Sequence, residues 1–384
     1  MSLVKFSDVV QRANTKEDKD NTDKIYYVGG EHIDSNNVLI TERGIIKGST
    51  IGPMFYFGFK AGQVLFVSRN PHLRKAGMVT FDGICSEKTF VLETKNEDVL
   101  LQRFLPFIMQ SNHFWNYMEA HKSGSVNYFI NWSTLANYEF ELPDIEEQKR
   151  LTELLWAIKD TKYAYEKLSQ SIDEVVKSQF IEMFKNNSKE VKLTDYVWFQ
   201  EGPGVRKVDF TDEGTILLTG SNINNNQISF GTNADRFISN ELASGKYNHF
   251  LCDKGDILVV ASAIAPEKFD EKVVIVTIDK EYCLNTGIIR FKPNLEYMTK
   301  AYFVEFLKSD FFKRQVSKEM SGICQMHFGP SHLKKMRLLL PDSIDDQIVF
   351  EEFAKQSDKS KFEIKQCIET TEKLLHRIID ESIN

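Results

Sequence analysis

The sequence predicts an α+β protein: two tandem mixed α/β domains, each followed by a long helix, with the two helices packed as an antiparallel coiled coil. Three observations predict it. Segments of the first half recur in the second in the same order, each half ends in a proline-free stretch with heptad-spaced apolar residues, and strand-like runs separated by turn residues fill the rest.

The internal repeat comes first. Leu135 matches Leu333, and Leu142-Pro143-Asp144 matches Leu340-Pro341-Asp342, all at an offset of 198. One extra residue then shifts the offset to 199 and pairs Gln148 with Gln347. Further back, Val4-Lys5-Phe6-Ser7-Asp8 resembles Val191-Lys192-Leu193-Thr194-Asp195, and Ala61–Val67 resembles Lys254–Val260. Cys85 pairs with Cys283, and Ser123-Gly124 with Ser321-Gly322. Ordered matches at a nearly constant offset imply a duplication, and hence a pseudo-two-fold repeat. The expected segments are a mixed domain over 1–142, a helix over 143–186, a second mixed domain over 187–340 and a second helix over 341–384.

Each half closes in the same way. Tyr138–Leu142 and Met336–Leu340 read as strands, and Pro143 and Pro341 stop them. Acidic residues follow, where the positive end of a helix dipole favours them, so Pro143-Asp144 with Glu146 and Lys149 reads as capping and not as a nuclease site. No proline interrupts residues 144–185 or anything after Pro341. Leu154, Ile158, Thr161, Tyr165, Leu168, Ile172 and Val175 fall at alternating spacings of four and three, the seam of a coiled coil. The second helix supplies Phe353, Ser357, Ser360, Ile364, Cys367, Thr371 and Leu374, a more polar seam. A helix from about 146 to 184 would extend ~58 Å.

Within the mixed domains, strands are expected at Val64–Ser68, Thr89–Glu93, Thr215–Leu218, Asp256–Ser262, Val273–Ile278 and Ile288–Phe291. Turn residues separate them, and a helix precedes each closing strand, around Leu100–His121 and Tyr297–Glu319.

Composition narrows the function. A chain of 384 residues fits two or three domains, and 42% hydrophobic with 27% charged residues is the balance of a soluble globular protein. No secretory signal opens the sequence and no apolar run reaches the ~18 residues of a membrane span. Five scattered cysteines without a C-x-x-C pair argue against disulfides or zinc and point to the cytoplasm. The histidines show no metal-binding spacing. The net charge of −7 looks wrong for a nucleic-acid binder, but residues 141–185 carry −3 of it and 341–384 carry −5. The remainder is close to neutral and can hold basic patches.

Polar and basic residues gather at the turns. The first half offers Arg69, Asn70, His72, Arg74 and Lys75, then Lys122, Ser123, Ser125 and Asn127. The second offers Arg206 and Lys207 after Gly202-Pro203-Gly204, Asn222 and Asn224, then Ser321, Gln325 and His327. Arg and Lys suit guanine edges and phosphates, Asn and Gln suit adenine, and glycine-rich backbone can approach phosphates closely. The same residue types also belong in ordinary solvated turns for conformational reasons. Gly202-x-Gly204 lacks the third glycine of a dinucleotide fingerprint.

The run ELPDIEEQKRL (141–151), followed by a long helix and repeated near the C-terminus, resembles the conserved regions of Type I restriction-modification specificity subunits. The alternation of domain and helix covers the whole chain. The second copy departs from the pattern, with Asp345-Asp346-Gln347 and no basic residue directly after. The resemblance implies a non-catalytic subunit whose two target recognition domains each read one half of a split, asymmetric double-stranded DNA site, with the helix pair as a ruler. It implies two methyltransferase subunits as partners, docking near Glu146, Glu147, Gln148, Arg150 and Gln347, with restriction subunits able to join. S-adenosylmethionine, ATP and Mg would belong to those partners, and this chain would need no cofactor or metal. A scaffold for a related phage-defence assembly is the competing reading. A self-sufficient adenine methyltransferase is excluded by the absence of any Pro-Pro pair and of a glycine-rich cofactor loop.

Overall fold

The computed structural model describes residues 2–231, 235–264, 266–318 and 326–383. The chain forms two compact units, Met1–Leu168 with Ile364–Asn384, and Ser169–Glu363. The division falls within both long helices, so each unit holds one mixed domain and a part of each helix.

In the first unit, Ser2–Lys5 pairs antiparallel with Glu139–Leu142, so the domain's first strand fastens its last. A five-stranded sheet runs in the order Val10–Arg12, Thr89–Thr94, Val64–Val67, Ala76–Val79, Leu39–Ile40. A four-stranded sheet runs Gly44–Ile45, Tyr26–Val28, Gly83–Ser86, Phe55–Phe59, and its second and third strands are parallel. The main core lies between the larger sheet and the helices: Phe6, Phe66, Phe104, Phe107, Phe114, Trp115 and Tyr138 are fully buried. Side chains of this size contribute about 1.5–3 kcal/mol each by burial.

The second unit repeats the plan. Ser188–Lys192 pairs with Arg337–Pro341. One sheet runs Val197–Glu201, Ile288–Pro293, Ile257–Val260, Val273–Ile275. Another runs Phe210–Thr211, Phe237–Ile238, Thr215–Leu218, Tyr282–Leu284, and here the parallel pair is the last two strands. Cys85 lies opposite Val28 and Cys283 opposite Leu217, and burial pushes both thiols well above the usual range. The expected match of the two cysteines is off by one: Ser68 N donates to Lys88 O as Ala261 N does to Gly287 O, which aligns Cys85 with Leu284.

Neither predicted helix before the closing strand is continuous. The first becomes Leu105–Ile108 and Asn112–Ala120, the second Lys300–Lys308 and Asp310–Lys318. The break is a serine cap. Ser111 Oγ accepts from Phe114 N, and Ser309 Oγ, at the equivalent position, accepts from Phe312 N.

The long helices span Ile145–Phe184 and Ile344–Ser382. Asp144 caps the first through Glu147 N, and Ser343 caps the second through Asp346 N. Within the second unit Phe184 meets Phe350 edge to face while Asp173 pairs with Lys361, so the helices run antiparallel. Within the first unit Lys162 pairs with Glu372. These two ion pairs are images of each other: Lys162 corresponds to Lys361 and Asp173 to Glu372 at the offset of 199.

The inward-facing residues differ by one position from the expected seam. Ile158, Tyr165 and Ile172 face inward as predicted, but Leu154, Thr161, Leu168 and Val175 are exposed. Leu155, Lys162, Ser169 and Val176 take their places, and Lys361, Ile368 and Leu375 replace Ser360, Cys367 and Leu374. Both phases satisfy the heptad spacing. The observed one is set by the anchors at its ends, Leu151 and Leu155 in the first unit and Phe180 and Phe184 in the second, all buried.

Gln148 and Gln347 need a second correction. Expected to face a partner, both are fully buried inside their own units. Gln148 Oε1 accepts from Leu101 N at 3.0 Å, and its Nε2 donates to Val99 O and Pro143 O. Gln347 Oε1 accepts from Thr299 N at 3.0 Å, and its Nε2 donates to Tyr297 O and Ser343 O. Each amide thus clamps a long helix to its mixed domain by satisfying loop backbone that would otherwise be buried unpaired.

Candidate nucleic-acid interface

In the first unit two loops are joined into one surface. Residues 68–75 connect Val64–Val67 to Ala76–Val79, and residues 121–131 follow the helix Asn112–Ala120. Ile130 N donates to Ser68 O at 2.8 Å, Asn70 N donates to Tyr128 O at 2.9 Å, and Arg69 bridges Phe129. Ser123 and Phe129 exchange two backbone bonds that close the second loop. Gly124 is required there: its φ is +96°, and a Cβ would lie 2.7 Å from Asn127 O.

The first loop is bent sharply. Asn70 and Arg74, both with left-handed φ (+52° and +49°), flank a short 3-10 turn over Pro71–Leu73. Asn70 and His72 are exposed on it. Arg69 lies over the Phe129 ring with its guanidinium 5.3 Å from the centroid, half-exposed. Across from it, Ser125 and Asn127 are exposed, and Val126 is 83% exposed. Lys122 pairs with Glu119 and covers the Tyr128 ring. Lys75 is engaged inward, donating to Gly30 O at 2.6 Å.

The second unit builds the same joint from different residues. Phe328 N donates to Ala261 O, as Ile130 N does to Ser68 O, and Ser262–Ile264 pairs with Met326–His327. Val67 N donates to Lys75 O, and Val260 N to Lys272 O, so Lys272 is the counterpart of Lys75. The loop between is four residues longer in the second unit and includes the 3-10 turn Pro266–Glu271 with Lys268 exposed. Lys272 donates to Gly220 O and Ile223 O, where Lys75 meets Gly30 O. Burial draws the Lys272 ammonium below the usual lysine range. The repeat extends to the neighbouring turn: Asn36 N donates to Arg74 O and Asn226 N to Glu271 O, both asparagines having φ +57°.

Sequence reasoning placed the second-unit residues less well than the first. Asn222 is buried, not a surface reader: its side chain accepts from Thr219 N and donates to Asp235 and Ser229 O, fixing the turn. Asn224 does sit at the longer loop, accepting from Lys272. Arg206 and Lys207 are exposed at the 3-10 turn Lys207–Asp209. Gly202 serves packing, since a Cβ would lie 2.3 Å from Asn285 O, and its N–H is taken by Ile288 O. Ser321 and Gln325 lie outside the described residues, and of His327 the described part is its backbone pairing with Ser262. The loop 262–272 was missed. Its signal was the Lys254–Val260 match to Ala61–Val67, which places the next turn opposite residues 68–75.

One basic cluster is spent internally. Arg290 and Asp256 are both buried and pair at 3.2 Å, and Arg290 also donates to Leu251 O, His249 O and Gln200. Lys280 and Lys292 hold the Asp253 carboxyl down at about 2. These charges brace the second unit. Among the described residues, no group of three or more His, Cys, Asp or Glu is placed to hold a metal, and no helix is long and apolar enough to cross a membrane.

The long helices carry a second candidate surface. Glu146 and Arg150 are exposed and Glu147 half-buried on the first turns, with Glu147 paired to Arg150 and Glu146 to Lys149. Exposed apolar side chains recur at the offset of 199: Tyr163 with Phe362, and Val175 with Leu374.

Comparison with known proteins agrees with this duplicated plan. The family described as "Type I restriction modification DNA specificity domain" matches residues 6–174 and again 185–373. The Type I restriction enzyme MjaVIII specificity subunit of Methanocaldococcus jannaschii is 21% identical over 368 residues, spanning 90% of this chain and 82% of that protein. The Type I restriction-modification S subunit from M. genitalium has the same fold, with a TM-score of 0.52 at 12% identity, over 100% of this chain and 96% of that one. So does a chain from a structural study of assembly and conformational transition in the type I R-M system, with a TM-score of 0.56 at 16% identity, over 99% and 97%. The chain therefore belongs to the Type I restriction-modification DNA specificity family, whose domain it carries twice.

Proposed function

We propose that this chain is the sequence-reading subunit of a Type I restriction-modification assembly, itself without catalytic activity, and that it directs adenine methylation and cleavage by partner subunits. The observation that carries the reading is the joined pair of loops, built on the same framework in both domains but with different residues and length. One framework with two reading edges suits a bipartite, asymmetric DNA site, one half-site per domain. Exposed Asn70, His72, Ser125 and Asn127, with Arg69 beside them, supply base-edge and phosphate chemistry in the first unit. In the second, the same role is assigned to Lys268 on the loop, to exposed Asn224 beside Lys272, and to the strand end at His327. The long helices act as the spacer. Their repeated exposed positions, Tyr163 with Phe362 and Val175 with Leu374, support docking of two copies of one methyltransferase subunit. S-adenosylmethionine, ATP and Mg belong to the partners.

Binding of the full chain to duplex DNA across a salt series tests the DNA-reading half of this proposal. Affinity falls steeply with salt, and Arg69→Ala weakens binding and lowers the logarithmic salt slope by about one. Binding without salt dependence, or none at all, favours a protein scaffold instead.

A further inference from the structure

Both reading loops are tied to a long helix, and in each unit it is the helix belonging to the other half of the repeat. In the first unit the tie is a relay. Asp380, near the end of the second long helix, accepts from Asn112 N at 2.8 Å through Oδ1 and from Asn112 Nδ2 at 2.7 Å through Oδ2. This two-point grip fixes the amide so that its Oδ1 accepts from Arg74 Nη1 at 2.8 Å. Arg74 is the left-handed residue that ends the turn of the reading loop, a conformation that costs a non-glycine residue energy and needs outside support.

In the second unit Asp270, in the turn Pro266–Glu271, takes the place of the loop cation. Its carboxylate accepts from Lys177 at 2.6 Å, on the first long helix, and from Lys313 at 3.0 Å. Lys313 belongs to Asp310–Lys318, the counterpart of the helix that Asn112 opens. The polarity is reversed: cation on the loop and carboxylate on the long helix in one unit, carboxylate on the loop and cation on the helix in the other.

We infer that Asp380 with Asn112, and Lys177 with Lys313, are positioning residues that hold the two reading loops in their binding conformation, each pair acting on one half-site alone. The inference rests on the DNA-reading proposal for its consequence, but not for its geometry. It places the control of each loop on the long helix that crosses from the other half, so a partner docked on that helix can alter the reading of one half-site.

The test uses the full chain and two readouts. Amide hydrogen exchange is compared among wild type, Asp380→Ala, Lys177→Met and Lys177→Arg. Asp380→Ala speeds exchange at Leu73 and Arg74 by about tenfold and leaves Lys272 as it was, as expected for loss of a charge-assisted tie with local opening. Lys177→Met does the reverse, and Lys177→Arg, which keeps the ion pair, behaves as wild type. Selection from randomised duplexes then shows relaxed base preference in one half-site for Asp380→Ala and in the other for Lys177→Met. Unchanged exchange at both loops, or faster exchange spread over both units, overturns the inference. If exchange changes as described but even the wild type shows no base preference, the positioning stands and the DNA-reading proposal fails.

Discussion

Exchanging residues 1–142 for the matching domain of a relative replaces one half of the recognised DNA sequence and leaves the other half unchanged. The strand pair Ser2–Lys5 with Glu139–Leu142 lies wholly inside the exchanged segment, so the graft brings its own closure. What it must rebuild is its seat on the long helices: the backbone at Val99 and Leu101 that meets Gln148, Arg103 O that accepts from Trp156, the Asn112 contact with Asp380, and the packing of Leu151, Leu155, Leu375 and Ile379 against its core. The effect is large because base readout is concentrated. A wrong base pair costs about 1–3 kcal/mol, so a half-site read by a different loop pair loses recognition altogether. Binding selection on the hybrid checks it. A change in both halves, or in neither, contradicts one half-site per domain.

Gln148→Leu destabilises the first unit by about 2–5 kcal/mol, and Gln347→Leu destabilises the second by a similar amount. The physical reason is the asymmetry of buried hydrogen bonds: leucine fills the space but leaves Leu101 N–H and Val99 C=O without their partner, at about 1–3 kcal/mol each. The same holds for Thr299 N–H and Tyr297 C=O. Urea unfolding of each variant measures the loss. Had these glutamines served a partner surface, stability would be unchanged and only co-purification would suffer.

Much of the fold was legible because duplication is a pattern of order and spacing. Pro143 and Pro341 mark the ends of the closing strands, and the proline-free acidic stretches give the long helices to within three residues at each end. The seam was displaced because hydrophobicity favours Leu154 and Leu168 over Lys162 and Ser169. The inward place of Lys162 depends on Glu372, more than two hundred residues away. The single helix expected over Leu100–His121 ignored a local signal, since Ser111 is a good N-cap, and so is Ser309.

The candidate loop was legible where it followed a recognisable strand, as residues 68–75 follow Val64–Val67. In the second unit four extra residues concealed the counterpart of Lys75. Asn222, Gln148 and Gln347 misled for one shared reason: residue type says that an amide can bind something, and these three bind groups of their own unit, buried backbone above all. A polar side chain's direction is set by which buried backbone groups lack partners, and that is a property of the folded chain.

Methylation mapping of cells that express this chain with the methyltransferase subunit proposed as its partner tests the central claim most directly. The account predicts a split methylated motif of two unlike halves with a fixed gap, present with the chain and lost when it is omitted. Methylation that persists without the chain, or co-purification of the two proteins with no motif-specific methylation, would contradict sequence reading by this subunit.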